Sequence, residues 1–112
     1  MIRFTCYIRP HRLEAVKSAL AVLGISGMSV SDVRGSGNSA EVSQWLGGAE
    51  QLVSLPIRSK IIVVAPDDLL EPMVEAVTAN ARTGESGDGK IFVERVQDAI
   101  RIRTEERGDA AI

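Results

Sequence analysis

Two halves of the sequence repeat one succession of patterns: a strand, an amphipathic helix and a second strand. In the first half, residues 1–8 are rich in β-branched and aromatic side chains and stop before Pro10, as a strand does before a turn. Apolar residues then recur three and four positions apart over 11–23, the spacing of one helix face. A second strand is predicted over 27–34, so the first half is a β-α-β unit.

The second half follows the same order. Residues 57–64 end in a run that is apolar on both faces, as expected for a central strand. Pro66, Asp67 and Asp68 precede a second helical stripe and are predicted to cap it. Strands over 90–96 and, briefly, over 99–103 complete the chain. This order predicts one α+β domain over residues 1–112, with a ferredoxin-like split βαβ fold and a short extra C-terminal strand.

A long stretch between the two halves has no sustained period of either kind. Residues 37–55 are polar and rich in glycine, and they include Trp45. Loops of this length inside a compact domain are uncommon, and they are usually either functional or disordered. A tryptophan in such a loop is either packed on its own subunit or an anchor for a partner protein.

Composition narrows the classes of function. The 112 residues include 13 basic and 15 acidic side chains, and only 4% are aromatic, which argues against nucleic acid as a partner. No apolar run approaches a membrane span, no secretory signal is visible, and a single cysteine excludes an internal disulfide, so we expect a cytoplasmic location. One histidine and no nucleophile beside a base argue against a catalytic or metal triad.

The segment that points to chemistry is the glycine-rich loop over about 82–90, with its sequence Gly87-Asp88-Gly89-Lys90. Glycines let successive backbone N–H groups converge on an anion, and a lysine adds positive charge beside them. Arg101 and Arg103 would lie on one face of the last strand. Guanidinium groups pair with phosphate oxygens in a two-pronged geometry. Together these residues predict a polyphosphate site.

The same residues resemble a known family. Thr83 to Val93 is similar to the signature loop of the PII signal-transduction proteins, and differs from it mainly at Glu85 and Ser86. The resemblance continues along the chain, through Arg9-Pro10, Gly24-Ile25, Gly27-Met28, Gly48-Ala49-Glu50, Pro66-Asp67-Asp68, Ile100 to Thr104 and Asp109 to Ile112. It covers the sequence from end to end.

This resemblance implies a non-enzymatic homotrimer that binds ATP or ADP between subunits, with Mg²⁺ accompanying ATP. The 37–55 loop would contact a target, either a membrane transporter or a metabolic enzyme, in nitrogen or carbon metabolism. The nucleotide-binding residues carried over from the family are Tyr7, Ser29, Gly35, Ser36, Gly37, Arg58, Val64, Gly87, Asp88, Gly89, Lys90, Arg101 and Arg103. Within the long loop, Trp45, Glu50 and Gln51 are the expected partner contacts.

The long loop is also where the sequence departs from the family. Gln51 aligns with the tyrosine that is uridylylated in relatives, and Ala49 with the serine that is phosphorylated in others, so neither modification can occur. Ser39 replaces the glutamine that helps to hold Mg²⁺ and 2-oxoglutarate. We therefore expect 2-oxoglutarate sensing to be weakened, lost or replaced, for example by bicarbonate. The expected small-anion site consists of Arg9, Ser39, Arg58 and Lys90.

Two other functions compete with this interpretation. One is a slow ATPase that uses the same glycine loop. The other is a metal-linked module of the same fold that does not need a nucleotide. Turnover of ATP, or the absence of any stabilisation by adenine nucleotides, would distinguish them.

Overall fold

The computed structural model describes residues 1–25, 27–35 and 55–112. The main elements, in chain order, are β1 (Ile2–Ile8), α1 (Leu13–Val22), β2 (Met28–Arg34), β3 (Ile57–Ala65), α2 (Leu70–Ala81) and β4 (Gly89–Arg95). Short 3-10 turns at Pro10–Arg12 and Asp67–Leu69 lead into the two helices, and a third closes the chain at Gly108–Ala111. Within these ranges, no helix combines the length and the apolar character needed to cross a bilayer.

The four strands form one antiparallel sheet in the order β2-β3-β1-β4. Each βαβ unit is split, because β3 lies between β1 and β2 while β1 lies between β3 and β4. The register places Ile8 opposite Ser59 on one side and Gly89 on the other. The predicted α+β, ferredoxin-like fold is confirmed.

The core lies between one face of the sheet and the two helices. Alternate residues of β1, including Phe4 and Cys6, are fully buried there, as are Val16 of α1 and Met73 of α2. The period-2 pattern of the strands and the 3.6-residue stripe of the helices therefore meet in one layer. Burial raises the pKa of the Cys6 thiol to about 11, so Cys6 acts as a small apolar side chain.

The opposite face of the sheet carries no helix among the described residues. Tyr7 and Phe92 lie on it in an edge-to-face arrangement with ring centroids 6.0 Å apart, and the Lys60 ammonium is 5.7 Å from the Tyr7 ring. Phe92 is 51% exposed. Ser29, Ser31 and Val33 share this face, as the alternation in β2 predicts.

Asp67 does not cap α2, which corrects the sequence-based expectation. The helix has no side-chain cap. Instead, the Asp67 carboxylate accepts hydrogen bonds from the Met1 amino group and from Arg95, each at 2.5 Å. The bond from the Met1 ammonium, followed by that from Arg95, lowers the pKa of Asp67. Asp67 thus joins the start of β1 to the end of β4.

The predicted strand over 99–103 is also wrong in detail. Residues 102–104 form a turn, and one isolated bridge joins Ile100 to Arg107. The chain folds back on itself because Asp98 accepts hydrogen bonds from the N–H of Ala99 (2.9 Å) and of Gly108 (3.1 Å). Arg101 and Arg103 therefore lie in a closed turn rather than on a strand.

Gly89 provides a test of this sheet. Its φ is +116°, and a Cβ at this position would lie 1.7 Å from the Tyr7 carbonyl oxygen. We expect Gly89→Ala to lower the free energy of unfolding by at least about 2 kcal/mol, because the new methyl group must separate β1 from β4. Chemical denaturation would measure this loss.

Gly27→Ala is the matched control, because a Cβ there has no neighbour within 4 Å and φ is not positive. It should change the free energy of unfolding by less than about 0.5 kcal/mol. Equal effects of the two substitutions would contradict the close contact between Gly89 and β1.

Candidate functional site

The glycine-rich loop connects α2 to β4 at one end of the sheet, which we call the loop end. This is the end where Ile8, Ser59 and Gly89 lie side by side. Gly84 and Gly87 have φ of +90° and +95°, a conformation that side chains with a Cβ rarely adopt. Glycine therefore permits the positive φ angles that this loop adopts at both positions.

Asp88 organises this loop through its carboxylate. It accepts hydrogen bonds from the N–H of Thr83 at 2.8 Å and of Gly84 at 3.0 Å, and from the Thr83 hydroxyl. Arg9 donates a further bond from Nε at 3.2 Å. The hydrogen bond from the Thr83 hydroxyl is the largest of the effects that hold the pKa of Asp88 well below its usual range. An ionised Asp88 thus closes both ends of the loop.

Two arginines, Arg9 directly after β1 and Arg58 of β3, bind the loop carbonyl groups. Arg9 Nη2 donates to the Ser86 carbonyl at 2.7 Å, and Arg58 Nη2 donates to the Gly87 carbonyl at 3.4 Å. No hydrogen bond among the described residues uses the N–H of Gly87 or of Asp88. The carbonyl groups of Ser86 and Gly87 are therefore committed, whereas the N–H groups of Gly87 and Asp88 have no acceptor among the described residues, an arrangement that suits an anion.

Other predicted site residues lie at the same end. Lys90 is opposite Tyr7 in the β1–β4 register, and no ion pair of Lys90 is present in the described part of the chain. Gly35 follows β2 and donates its N–H to the Pro56 carbonyl at 3.1 Å. Six further predicted site residues lie outside the described residues: Ser36, Gly37, Ser39, Trp45, Glu50 and Gln51.

Ser29 and Val64 lie elsewhere. They line a groove of about 350 Å³ near the opposite end of the sheet, together with the C-terminal Ile112. We call this the terminal end. Along β3, Val64 is five residues beyond Ser59, a separation of about 17 Å. Tyr7 lines a pocket of about 210 Å³ with Asp88 and Lys90 of the glycine loop. One chain therefore brings Tyr7, but not Ser29 or Val64, into a pocket with its own glycine loop.

Arg101 and Arg103 also belong to the terminal end. Their segment leaves β4 at Arg95, six residues or about 20 Å beyond Gly89. Val96 donates its N–H to the Met1 carbonyl at 3.2 Å, which keeps the segment beside the start of β1. The structure describes no hydrogen bond or ion pair from Arg101 or Arg103 to residues 83–90. These arginines do not complete the phosphate site within one chain.

Sequence analysis missed several residues of these networks. The sequence predicts no role for Thr83 beyond the start of the loop, yet its N–H and its hydroxyl both donate hydrogen bonds to Asp88. Its spacing of five residues from Asp88, across two glycines, was the available signal. Asp98 and Glu106 organise the C-terminal turn through hydrogen bonds with Arg107 and Arg101, and no sequence motif predicted these pairs. Within the described ranges, no group of three acidic, histidine or cysteine side chains could hold a metal ion.

The lowered pKa of Asp88 predicts how the stability of the protein depends on pH. Because its pKa is lowered in the folded protein, the ionised carboxylate contributes stability above pH about 4, its ordinary range. This contribution is lost as the pH falls through the lower pKa of the folded state. We expect Asp88→Asn to be less stable than the natural sequence at pH 7, and the difference to shrink below pH 4. Denaturation at a series of pH values would measure it.

Asp68→Asn is the control, because Asp68 is exposed and forms no hydrogen bond that the structure describes. Its stability at pH 7 should differ from that of the natural sequence by less than about 0.5 kcal/mol. A deficit of Asp88→Asn that stays constant down to pH 2.5 would exclude the charged network as its cause.

Comparison with known proteins gives a consistent result. A profile of the family described as "Nitrogen regulatory protein P-II" matches residues 1–106. Nitrogen regulatory protein P-II of Haemophilus influenzae is 42% identical over 112 residues, all of both chains. Nitrogen regulatory protein P-II 1 of Methanothermobacter thermautotrophicus is 46% identical over 112 residues, which are all of this chain and 97% of the relative. The corresponding protein of Escherichia coli K12 is 43% identical over the full length of both.

The match by profile covers most of the chain, and the relatives align with all of it. The members of this family are signal-transduction proteins rather than enzymes, they respond to adenine nucleotides, and they act through partner proteins. The chain therefore belongs to the nitrogen regulatory protein P-II family.

Proposed function

We propose that this protein binds ATP or ADP at the boundaries between three identical subunits in the cytoplasm. Through its 37–55 loop, it would regulate a transporter or a metabolic enzyme of nitrogen or carbon metabolism. The observation that carries this proposal is the glycine loop, whose carbonyl groups are held by Arg9 and Arg58 while the N–H groups of Gly87 and Asp88 have no described acceptor. Such a loop beside Lys90 is complementary to a polyphosphate.

The separation of the two halves of the site supports binding between subunits. The glycine loop and Lys90 lie at the loop end of the sheet, whereas Val64, Arg101 and Arg103 lie at the terminal end. A nucleotide that needs both sets must take them from two chains. The proposed phosphate contacts are Gly87, Asp88, Gly89, Lys90 and Arg58 of one subunit with Arg101 and Arg103 of another, and Tyr7, Ser29, Gly35 and Val64 surround the adenosine.

The open face of the sheet supports assembly. Tyr7, Ile62 and Phe92 lie there beside Thr5 and Lys60, with Arg3 and Glu94 as a flanking ion pair at 2.8 Å. Antiparallel sheets can leave one face in water, but large apolar side chains on such a face stabilise the protein when they are covered. Packing three such faces together would remove the Tyr7, Ile62 and Phe92 side chains from water and bring each terminal end close to a neighbouring loop end.

The proposed small-anion site has arginines that already bind other groups. Arg9 and Arg58 already bind the carbonyl groups of the loop, and Arg9 also binds Asp88. A carboxylate such as 2-oxoglutarate would have to share these guanidinium groups, without the glutamine that Ser39 replaces. We propose that its binding is weak, and that a smaller anion such as bicarbonate is the better candidate.

Gly35 connects the proposed nucleotide site to the long loop. Its N–H bond to the Pro56 carbonyl closes the base of residues 36–54, next to the strands that carry Arg34 and Arg58. A nucleotide can change the loop only by binding one of its states more tightly than another. Contact at Gly35 would provide that difference.

A subunit-mixing experiment tests the shared site. We expect Arg103→Ala and Lys90→Ala each to weaken ATP binding by about 1.5–3 kcal/mol in titration calorimetry, because each removes a charge-assisted contact. Mixed trimers that contain both variants should recover one tight site, where the intact loop of one subunit meets the intact arginine of its neighbour.

Lys17→Ala is the control for lost charge, since Lys17 lies on α1 and pairs only with Glu14 in the described structure. It should leave ATP affinity within about twofold of the natural value. Mixed trimers in which no tight site returns would contradict a site shared between subunits, and a single-chain solution mass would contradict the trimer.

A further inference from the structure

The two arginines of the C-terminal turn differ in their surroundings. Arg101 Nη1 is 3.3 Å from Glu106 Oε1, whereas Arg103 is exposed and no ion pair is described for it. Both residues belong to the turn that carries the proposed phosphate contacts. The positive charge of Arg101 is thus already partly neutralised, and that of Arg103 is not.

Glu106 is itself held in place. The Thr104 hydroxyl donates to Glu106 Oε1 at 2.7 Å, and the Glu106 N–H donates to the Thr104 hydroxyl oxygen at 3.3 Å. The backbone closes the same turn, since the Arg101 N–H donates to the Glu106 carbonyl at 2.9 Å. These hydrogen bonds therefore hold the Glu106 carboxylate beside the Arg101 guanidinium.

A carboxylate and a phosphate present oxygen atoms that bind the same guanidinium N–H groups. The Arg101 and Glu106 side chains are 42% and 44% exposed, so their pair is screened by water and weak enough to exchange. A phosphate held in a glycine loop would offer Arg101 a more highly charged acceptor. The geometry therefore makes Glu106 a competitor for the contact that Arg101 would make with the ligand.

We propose that Glu106 is a positioning residue that lowers nucleotide affinity. It holds the Arg101 guanidinium while no phosphate is present, and it yields Arg101 when a phosphate binds. This inference rests on the proposed nucleotide site. After the exchange, the Glu106 carboxylate keeps its bond from Thr104, so it is not left without a donor.

Glu106→Gln tests the proposal in the full-length protein. The amide keeps the size of the side chain and an acceptor for Thr104, but it no longer attracts Arg101 as a carboxylate does. We expect ATP to bind about two- to fivefold more tightly in calorimetry, which corresponds to the loss of one exposed ion pair. Damage to the turn would weaken binding instead, so the direction of the change identifies the role.

Glu105→Gln is the matched control. It removes the same charge from the adjacent position of the same turn, and the structure describes no side-chain partner for Glu105. The logarithm of its ATP affinity should change by less than half of the change that Glu106→Gln causes. If both variants bound ATP equally more tightly, the effect would come from the lower net negative charge alone, and the proposal would be overturned. Unchanged or weaker ATP binding in Glu106→Gln would overturn it as well.

A double variant completes the test. In an Arg101→Ala background, Glu106→Gln should no longer tighten ATP binding, because the residue for which Glu106 competes is gone. Tightening that persists in this background would overturn the proposal. If the natural sequence bound neither ATP nor ADP, the proposed function itself would fail, and that result differs from each of these outcomes.

Discussion

The structure of the site depends on one carboxylate. Asp88 binds the start of the glycine loop through Thr83 and Gly84, and it binds the end of β1 through Arg9. Without this carboxylate, four donor groups would lose their shared acceptor: the N–H groups of Thr83 and Gly84, the Thr83 hydroxyl and Arg9 Nε. Arg9 and Arg58 bind the carbonyl groups of Ser86 and Gly87, and the described contacts leave the N–H groups of Gly87 and Asp88 without an acceptor.

The proposed binding residues lie at two opposite ends of the sheet, and this separation follows from the topology. β4 crosses the sheet from the glycine loop, which precedes it, to the C-terminal segment that follows it, so the two segments leave from opposite ends. A ligand that needs both must lie between molecules. The proposed assembly would therefore follow from the path of the chain through this strand.

Much of this could be predicted from the sequence, because the information is local. Periodic apolar residues define the strands and helices, and closely spaced glycines define the loop. The predicted cap at Asp67 failed because a carboxylate binds the nearest donor, and its donors, Met1 and Arg95, are distant in the chain. The predicted C-terminal strand failed because Asp98 turns the chain back on itself through the N–H groups of Ala99 and Gly108. Arg9 was unpredictable as a partner of Asp88, because it lies 79 residues away along the chain.

The hydrogen bond between Gly35 and Pro56 has a wider consequence. Because β2 and β3 pair in register up to this point, the scaffold fixes both ends of residues 36–54 whatever their sequence is. Substitutions within that segment need not disturb the pairing of β2 with β3. Relatives could therefore diverge between these two strands and still share the sheet that joins them.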